Sequence, residues 1–288
     1  MRLHVIGIGK MGLPMARHLA AAGHAVTVSD PSAERGQLAQ AQGLTVCETS
    51  ASTLARAEVV LSSLPDDAAL RSVATQVAAW APPGAVYIDT STVSPPASAE
   101  VASVLAHRGG AYLRATVSGN NQMAEAAQLT VLASGPRDTY EQMLPLLRTL
   151  GPHHFYLGQA EQARLMKLVV NLMVAQTSAM LAEALTLGRK GGLDWQAMWQ
   201  VLTASAVASP IVQAKAVQLR ERDFTPTFTV TQMIKDLDLI LNAGEAHQVP
   251  LLQTALTHKL MNAAVGQGDA HEDYAAIIKV VERGAGIP

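Results

Sequence analysis

Apolar positions in the first half of the chain fall in short runs, and helical patterns separate them. Residues 3–8, 25–29, 58–64, 85–89, 111–117, 129–134 and 153–157 are rich in Val, Ile, Leu and Tyr and read as strands. Residues 11–22, 68–80, 97–108 and 139–149 carry helical spacing between them. Such alternation predicts an α/β fold, a Rossmann-like doubly wound parallel sheet whose ligands bind beyond the carboxyl ends of the strands. The pattern changes at residues 159–188, where neither proline nor glycine interrupts a run of good helix formers. A helix of about 28 residues, roughly 42 Å long, is expected there. Its surface is apolar almost all round, so burial on nearly all sides is expected, with Gly188, Gly191 and Gly192 as the stop. Everything after Asp194 reads as helix: 195–204, 210–220, 230–246, 250–265 and 271–283. The expected division is a dinucleotide-binding domain over 1–160 and an all-helical C-terminal domain over 161–288, joined by the long helix.

Composition narrows the classes. The chain has 288 residues, 49% hydrophobic and 15% charged, enough for two cored domains. A net charge of −2 without a basic run gives no footprint for nucleic acid. One cysteine, Cys47, excludes an internal disulfide framework and suits a reducing, cytoplasmic setting. The N-terminus lacks the apolar core and cleavage site of a signal peptide. Lys167 and Glu183 interrupt the long apolar helix, so no membrane span is expected. Side chains at metal-ligand spacing are lacking, since His153 and His154 are neighbours on a strand and point to opposite faces. No metal is expected.

The chemistry begins at the first turn. Gly7, Gly9 and Gly12 follow a strand and open a helix, and Asp30 ends the next strand. Each glycine has its own mechanical reason: a tight turn, backbone approach to a pyrophosphate, and close helix–strand packing. The helix N-terminus presents free N–H groups to phosphate, and Asp30 can accept hydrogen bonds from an adenosine ribose. A single glycine motif is a weak signal; strand, turn, helix, strand and acid in order make a nicotinamide dinucleotide the expected ligand. Leu64-Pro65, Ser91-Thr92 and Ser118-Gly119-Asn120 each follow a strand, where turn residues are common anyway. Together they could share one rim. On the long helix Lys167, Asn171 and Ser178 lie close to one stripe. A lysine near a helix start often just snorkels to water. Flanked by Met166, Leu168 and Val170, Lys167 could instead be a general acid or base, its pKa lowered by apolar burial.

At this point the chain resembles the β-hydroxyacid dehydrogenase family, the 3-hydroxyisobutyrate dehydrogenase-like enzymes. Four separated motifs carry the resemblance: VIGIGKMGLPMARHLAAAGHAVTV at 5–28, IDTSTVSP at 88–95, TVSGNNQMAEAAQLTVLASG at 116–135, and Lys167 with Asn171 followed by KDLDL at 235–239. The resemblance implies a Rossmann-like domain, a long bridging helix and an all-helical C-terminal domain. It implies oxidation of a small 3-hydroxy acid or β-hydroxy amino acid, or reduction of the matching carbonyl. Lys167 falls on the catalytic lysine and Asn171 on its helper, while Ser118, Gly119 and Asn120 fall on the substrate anchor. Gly7, Gly9, Lys10, Met11, Gly12, Asp30, Leu64, Pro65, Thr92 and Lys235 are the expected cofactor contacts. NAD is expected over NADP, because no arginine immediately follows Asp30 to meet a 2′-phosphate. A small carboxylate substrate and a homodimer or homotetramer complete the expectation.

The chain also departs from that pattern. Asn120 stands where a second glycine is usual, and Arg114-Ala115-Thr116 replaces Asp-x-Pro. Ala124-Glu125 and Ala127-Gln128 replace Gly-Ala and Gly-Thr, and Val170 replaces a second asparagine. These changes point to an altered substrate rather than an altered reaction, and Arg114 and Asn120 are expected to bear on substrate choice. Two other readings share the architecture: an imine reductase, which Lys167 disfavours, and a dinucleotide-binding protein without turnover.

Overall fold

The computed structural model describes residues 1–287. The chain divides into two compact units, Met1–Lys167 and Leu168–Pro288. The first is built on one sheet of eight strands: β1 (Arg2–Ile6), β2 (Ala25–Ser29), β3 (Thr45–Val46), β4 (Val59–Ser62), β5 (Val86–Asp89), β6 (Ala111–Ser118), β7 (Thr130–Ser134) and β8 (His153–Tyr156). Their order across the sheet is β3-β2-β1-β4-β5-β6-β7-β8. Seven helices connect them: α1 (Gly12–Ala21), α2 (Ala33–Ala41), α3 (Ala51–Leu54), α4 (Asp67–Trp80), α5 (Pro95–Ala106), α6 (Asn121–Glu125) and α7 (Arg137–Leu147).

The alternation along each strand sorts two cores. Leu3, Val5, Val59, Leu61, Ile88 and Leu113 pack with Leu13, Met15 and Leu19 of α1 and Met143 and Leu147 of α7. Val60, Tyr87 and Tyr112 point to the other face and pack with Leu70, Val73 and Val77 of α4 and Val101 and Leu105 of α5. Helices on both faces make the sheet doubly wound, as expected. Its direction is not uniform, because β7 runs antiparallel to β6 and β8 follows β7. Residues 119–129 contain only the short α6, and a parallel return needs a crossover of about a dozen residues or more.

The helical pattern of the second half holds. The long helix α8 (Gln162–Lys190) is followed by α9 (Trp195–Ala204), α10 (Pro210–Arg220), α11 (Val230–Ala246), α12 (Leu252–Gly266), a 3₁₀ turn at Tyr274–Ala276 and α13 (Ile277–Gly284). Leu168, Leu181 and Leu185 of α8 share a core with Trp199, Met233, Leu237, Met261 and Ile277. The division between the units falls inside α8. This helix begins later than expected and runs through Gly188, where a Cβ would stand 2.1 Å from Met198 Sδ. Close approach of α9 therefore explains that glycine, and Gly192, at φ +83°, lies beyond the end.

The expectation that α8 is buried on nearly all sides is wrong. Met166, Val169, Met173, Met180 and Leu187 are exposed, Leu187 at 76%. Only the stripe carrying Asn171, Ala175, Ser178, Ala182 and Leu185 is covered. Length and composition alone would let α8 cross a bilayer, and 39% of that apolar window is buried in the fold.

His4 points away from the apolar core of β1. Nothing of it is exposed, and its ring meets Thr27 Oγ1 at 2.9 Å and Ser29 Oγ at 3.1 Å. Burial pushes its pKa from 6.5 down to about 4, so the folded chain keeps it neutral where the unfolded chain takes up a proton. Stability should therefore fall as pH drops from about 6.5 towards 4, by about 3 kcal/mol for this group. His4→Gln should flatten that part of the curve. Equal losses for the two proteins between pH 6.5 and 4.5, measured by urea unfolding, would contradict this.

Candidate active site

The three glycines behave as three different devices. Gly7 has φ +84°, and a Cβ there would lie 2.3 Å from Ser63 O, so the turn is pressed against the end of β4. A Cβ on Gly12 would lie 1.9 Å from Gly7 O, which fixes α1 close to the strand. At Gly9 a Cβ would meet nothing within 4 Å. That open backbone lies before α1, whose N-terminus has no side-chain cap. Uncapped N–H groups beside a bare backbone fit a dinucleotide pyrophosphate. Asp30 is fixed by two amides, Ile8 N on Oδ2 and Ser32 N on Oδ1, each at 2.9 Å.

The rim expected from sequence exists in this unit. β1, β4, β5 and β6 are adjacent and parallel, so their carboxyl ends share one edge. Leu64 N donates to Ser91 Oγ at 2.7 Å, joining the turns after β4 and β5. Asp66 caps α4 through Ala69 N, while Asp67 holds the N–H and hydroxyl of Ser94. These acids after Pro65 are therefore occupied in holding the rim. Thr92 and Met11 are half-buried, and Lys10 and Pro65 are exposed.

Ser118 ends β6, half-buried and paired in register with Thr130. Gly119 has φ +139°, and a Cβ would come within 2.8 Å of Leu129 Cδ2. Asn120 uses its side-chain oxygen to cap α6, accepting from Met123 N at 2.9 Å. The asparagine in place of glycine thus starts a short helix. Ala127 sits at φ +53°, a conformation glycine adopts freely, so the family glycine is the residue this backbone favours. Arg114 lies away from this loop. It forms an ion pair with Glu161 and stacks over Tyr112 at 4.5 Å. The departure there attaches the segment entering α8.

Sequence reasoning missed the most heavily bonded group in the unit. Arg164, in the first turn of α8, is completely buried with Asp89. It reaches Asp89 Oδ2 at 2.5 Å, Tyr112 OH at 2.7 Å, the Ser91 carbonyl at 2.6 Å and Ser98 Oγ at 3.1 Å. Ser91 Oγ in turn donates to Asp89 Oδ1 at 2.7 Å. The turn of helix before Lys167 is thereby tied to the end of β5, to α5 and to β6.

Lys167 is half-buried, not enclosed, because Met166 and Val169 on either side face outward. Asn171, one turn on, is 8% exposed and donates to Asp236 Oδ2 at 2.5 Å. Lys235 pairs with Asp236 Oδ1 at 2.9 Å. The 235–239 motif was read for its lysine alone; its aspartate, 1% exposed, is what orients Asn171. Ser178 is buried further along the stripe.

Residues 2–158 match the family model described as the NAD binding domain of 6-phosphogluconate dehydrogenase. Residues 162–281 match that described as NAD-binding of NADP-dependent 3-hydroxyisobutyrate dehydrogenase. The chain belongs to the β-hydroxyacid dehydrogenase family. Among its relatives in this family, the 2-(hydroxymethyl)glutarate dehydrogenase of Eubacterium barkeri is 32% identical over 99% of this chain and 96% of its own. Glyoxylate/succinic semialdehyde reductase 1 of Arabidopsis thaliana is 28% identical over 98% and 99%. A solved 3-hydroxyisobutyrate dehydrogenase of Mycobacterium tuberculosis, determined with L-serine, superposes with a TM-score of 0.89 at 28% identity, covering 97% of this chain and 98% of the other. These β-hydroxyacid dehydrogenase relatives support NAD(P)-dependent hydroxyacid dehydrogenase activity, and the glycine cradle in the first unit fits that cofactor.

Proposed function

We propose that the protein interconverts a small 3-hydroxy acid, or a β-hydroxy amino acid, and its carbonyl form, with Lys167 as proton-transfer group. The observation that carries this reading is the Lys167–Asn171 pair, one turn apart on α8, with Asn171 oriented by a buried carboxylate. When bound, the nicotinamide cofactor supplies the hydride acceptor or donor. Lys167 takes the hydroxyl proton in oxidation and returns it in reduction. Asn171 has given an amide hydrogen to Asp236, which turns its remaining polar atoms to the substrate oxygen or to the lysine. Ser118, Gly119 and Asn120 hold the carboxylate through the Ser118 hydroxyl and the loop amides. Gly7, Gly9, Met11 and Gly12 hold the pyrophosphate, and Leu64, Pro65 and Thr92 form the rim beside it. A screen of hydroxy acids, β-hydroxy amino acids and semialdehydes, followed by nicotinamide absorbance at about 340 nm, tests the reading. No turnover of any member with either cofactor would overturn it.

NAD is the preferred cofactor in this reading. The Asp30 carboxylate, just beyond β2, is held in place by two backbone amides. Against a 2′-phosphate, a like-charge contact near 4 Å costs roughly 4 kcal/mol at an effective dielectric of 20. Asp30→Ala should narrow the preference for NAD. Equal or better kcat/KM with NADP in the unaltered protein would refute the assignment.

A further inference from the structure

The loop that follows Ser118 is held from outside itself. Its helix, α6, has five residues, far too few to be stable alone. The Asn120 side chain holds its start, and its end runs into Ala127 at φ +53°. Local amides serve most of its last carbonyls, Gln128 N on Met123 O and Ala127 N on Ala124 O, and Glu125 O lies beyond them. His18 of α1 reaches this end from outside the loop: its Nε2 lies 3.1 Å from Glu125 O and 3.0 Å from Ala124 O. Both partners accept only, so Nε2 carries the hydrogen and the bond is shared between two carbonyls. Beside it, Arg17 Nη1 meets Glu125 Oε2 at 2.7 Å. These groups are about half-exposed, so that pair alone contributes little. Glu125 is one of the residues at which this chain leaves the family pattern, and here it finds its partner.

The helix on the other side of this contact is α1. Six of its ten residues are buried against the sheet, so it is a fixed reference. Its N-terminus is the end that faces the glycine turn, and His18 lies about 9 Å further along the same rod. We propose that His18, assisted by Arg17, is a positioning residue for substrate binding: it anchors the far end of α6 to the cofactor helix and so fixes the loop that begins at Ser118. The inference rests on the reading of Ser118–Asn120 as the substrate anchor.

The test uses the full chain with NAD and 3-hydroxyisobutyrate as probe. His18→Leu keeps the volume and removes the donor, whereas His18→Gln restores an N–H that can reach a carbonyl. In His18→Leu, amide hydrogen exchange at residues 123–128 should accelerate while exchange in α1 stays unchanged. The KM for the probe should rise about five- to tenfold, the equivalent of one or two hydrogen bonds. The dissociation constant for NAD should stay within about twofold, and His18→Gln should recover most of the KM, as restoring one such bond would. Unchanged exchange at 123–128, or unchanged KM, overturns the proposal; so does a Leu variant that only melts earlier. Ser118→Ala separates this failure from that of the underlying reading. If Ser118→Ala raises KM and His18→Leu does not, positioning by His18 is wrong and the anchor stands. If neither raises KM, both fall; where 3-hydroxyisobutyrate is not turned over, unchanged exchange at 123–128 by itself overturns positioning by His18.

Discussion

Lys167→Met should abolish most turnover while leaving the cofactor site intact. Methionine keeps the unbranched stem and a similar helix propensity, so α8 loses only an amine. The glycine turn, Asp30 and the rim are untouched, and affinity for NAD should stay near that of the unaltered protein. If Lys167 carries the proton, kcat should fall by about 10² to 10⁴. Asn171→Ala should cost less, since the asparagine orients the oxygen without taking the proton. A lysine that merely reaches for water would leave kcat close to normal. A kcat within about threefold of the unaltered protein, far outside the acid–base range, would remove Lys167 from the mechanism.

Arg164→Met should destabilise the first unit more than any surface change. The arginine is fully buried, and so is its partner Asp89, which also accepts from Ser62, Ser91 and the Ser91 amide. Removing one member of a buried pair leaves an uncompensated charge, at a cost of about 3–5 kcal/mol. For a domain of this size that corresponds to a fall in Tm of roughly 10 °C. Replacing Asp89 by leucine in the same chain should recover part of the loss, because an apolar pair no longer strands a charge. Thermal melts of the single and double variants, followed by circular dichroism, make the comparison. A single variant melting within about 2 °C of the unaltered protein, less than the shift expected of 1 kcal/mol, would mean the pair carries no such burden.

The parts that were legible in the sequence are those written locally. Strand, glycine turn, helix and acid follow one another within thirty residues, and Gly7 and Gly12 then proved to have steric reasons while Gly9 stands open. The helices from Trp195 to Ala246 were visible in their local spacing, and Asp194, Ser209 and Thr229 cap them in the structure. What was not legible depends on partners far along the chain. An arginine in the first turn of a helix looks like a solvated residue, and only Asp89, Ser98 and Tyr112, more than fifty positions away, make Arg164 a buried hub. Asp236 in a charged motif looks like a wet helix face until Asn171 comes to it. Arg114 was read as belonging to the loop because it stands near Ser118 in sequence, whereas Glu161 claims it in space. The reversal of β7 follows from the length of a connection, and the alternation of strands and helices alone does not reveal it.

Gly119 has a consequence for how such a protein can diversify. Its φ of +139° strains any side chain placed there, and a Cβ would also push on Leu129 Cδ2 at 2.8 Å, so substitution at that position is costly. Downstream, Asn120, Ala124, Glu125, Ala127 and Gln128 sit where backbone and partners can absorb a change more readily. Those are the positions at which this chain has already changed. Substitutions on that side of Gly119 can reshape the loop by small steps while the glycine turn of the first unit, built from residues far away in sequence, stays as it is.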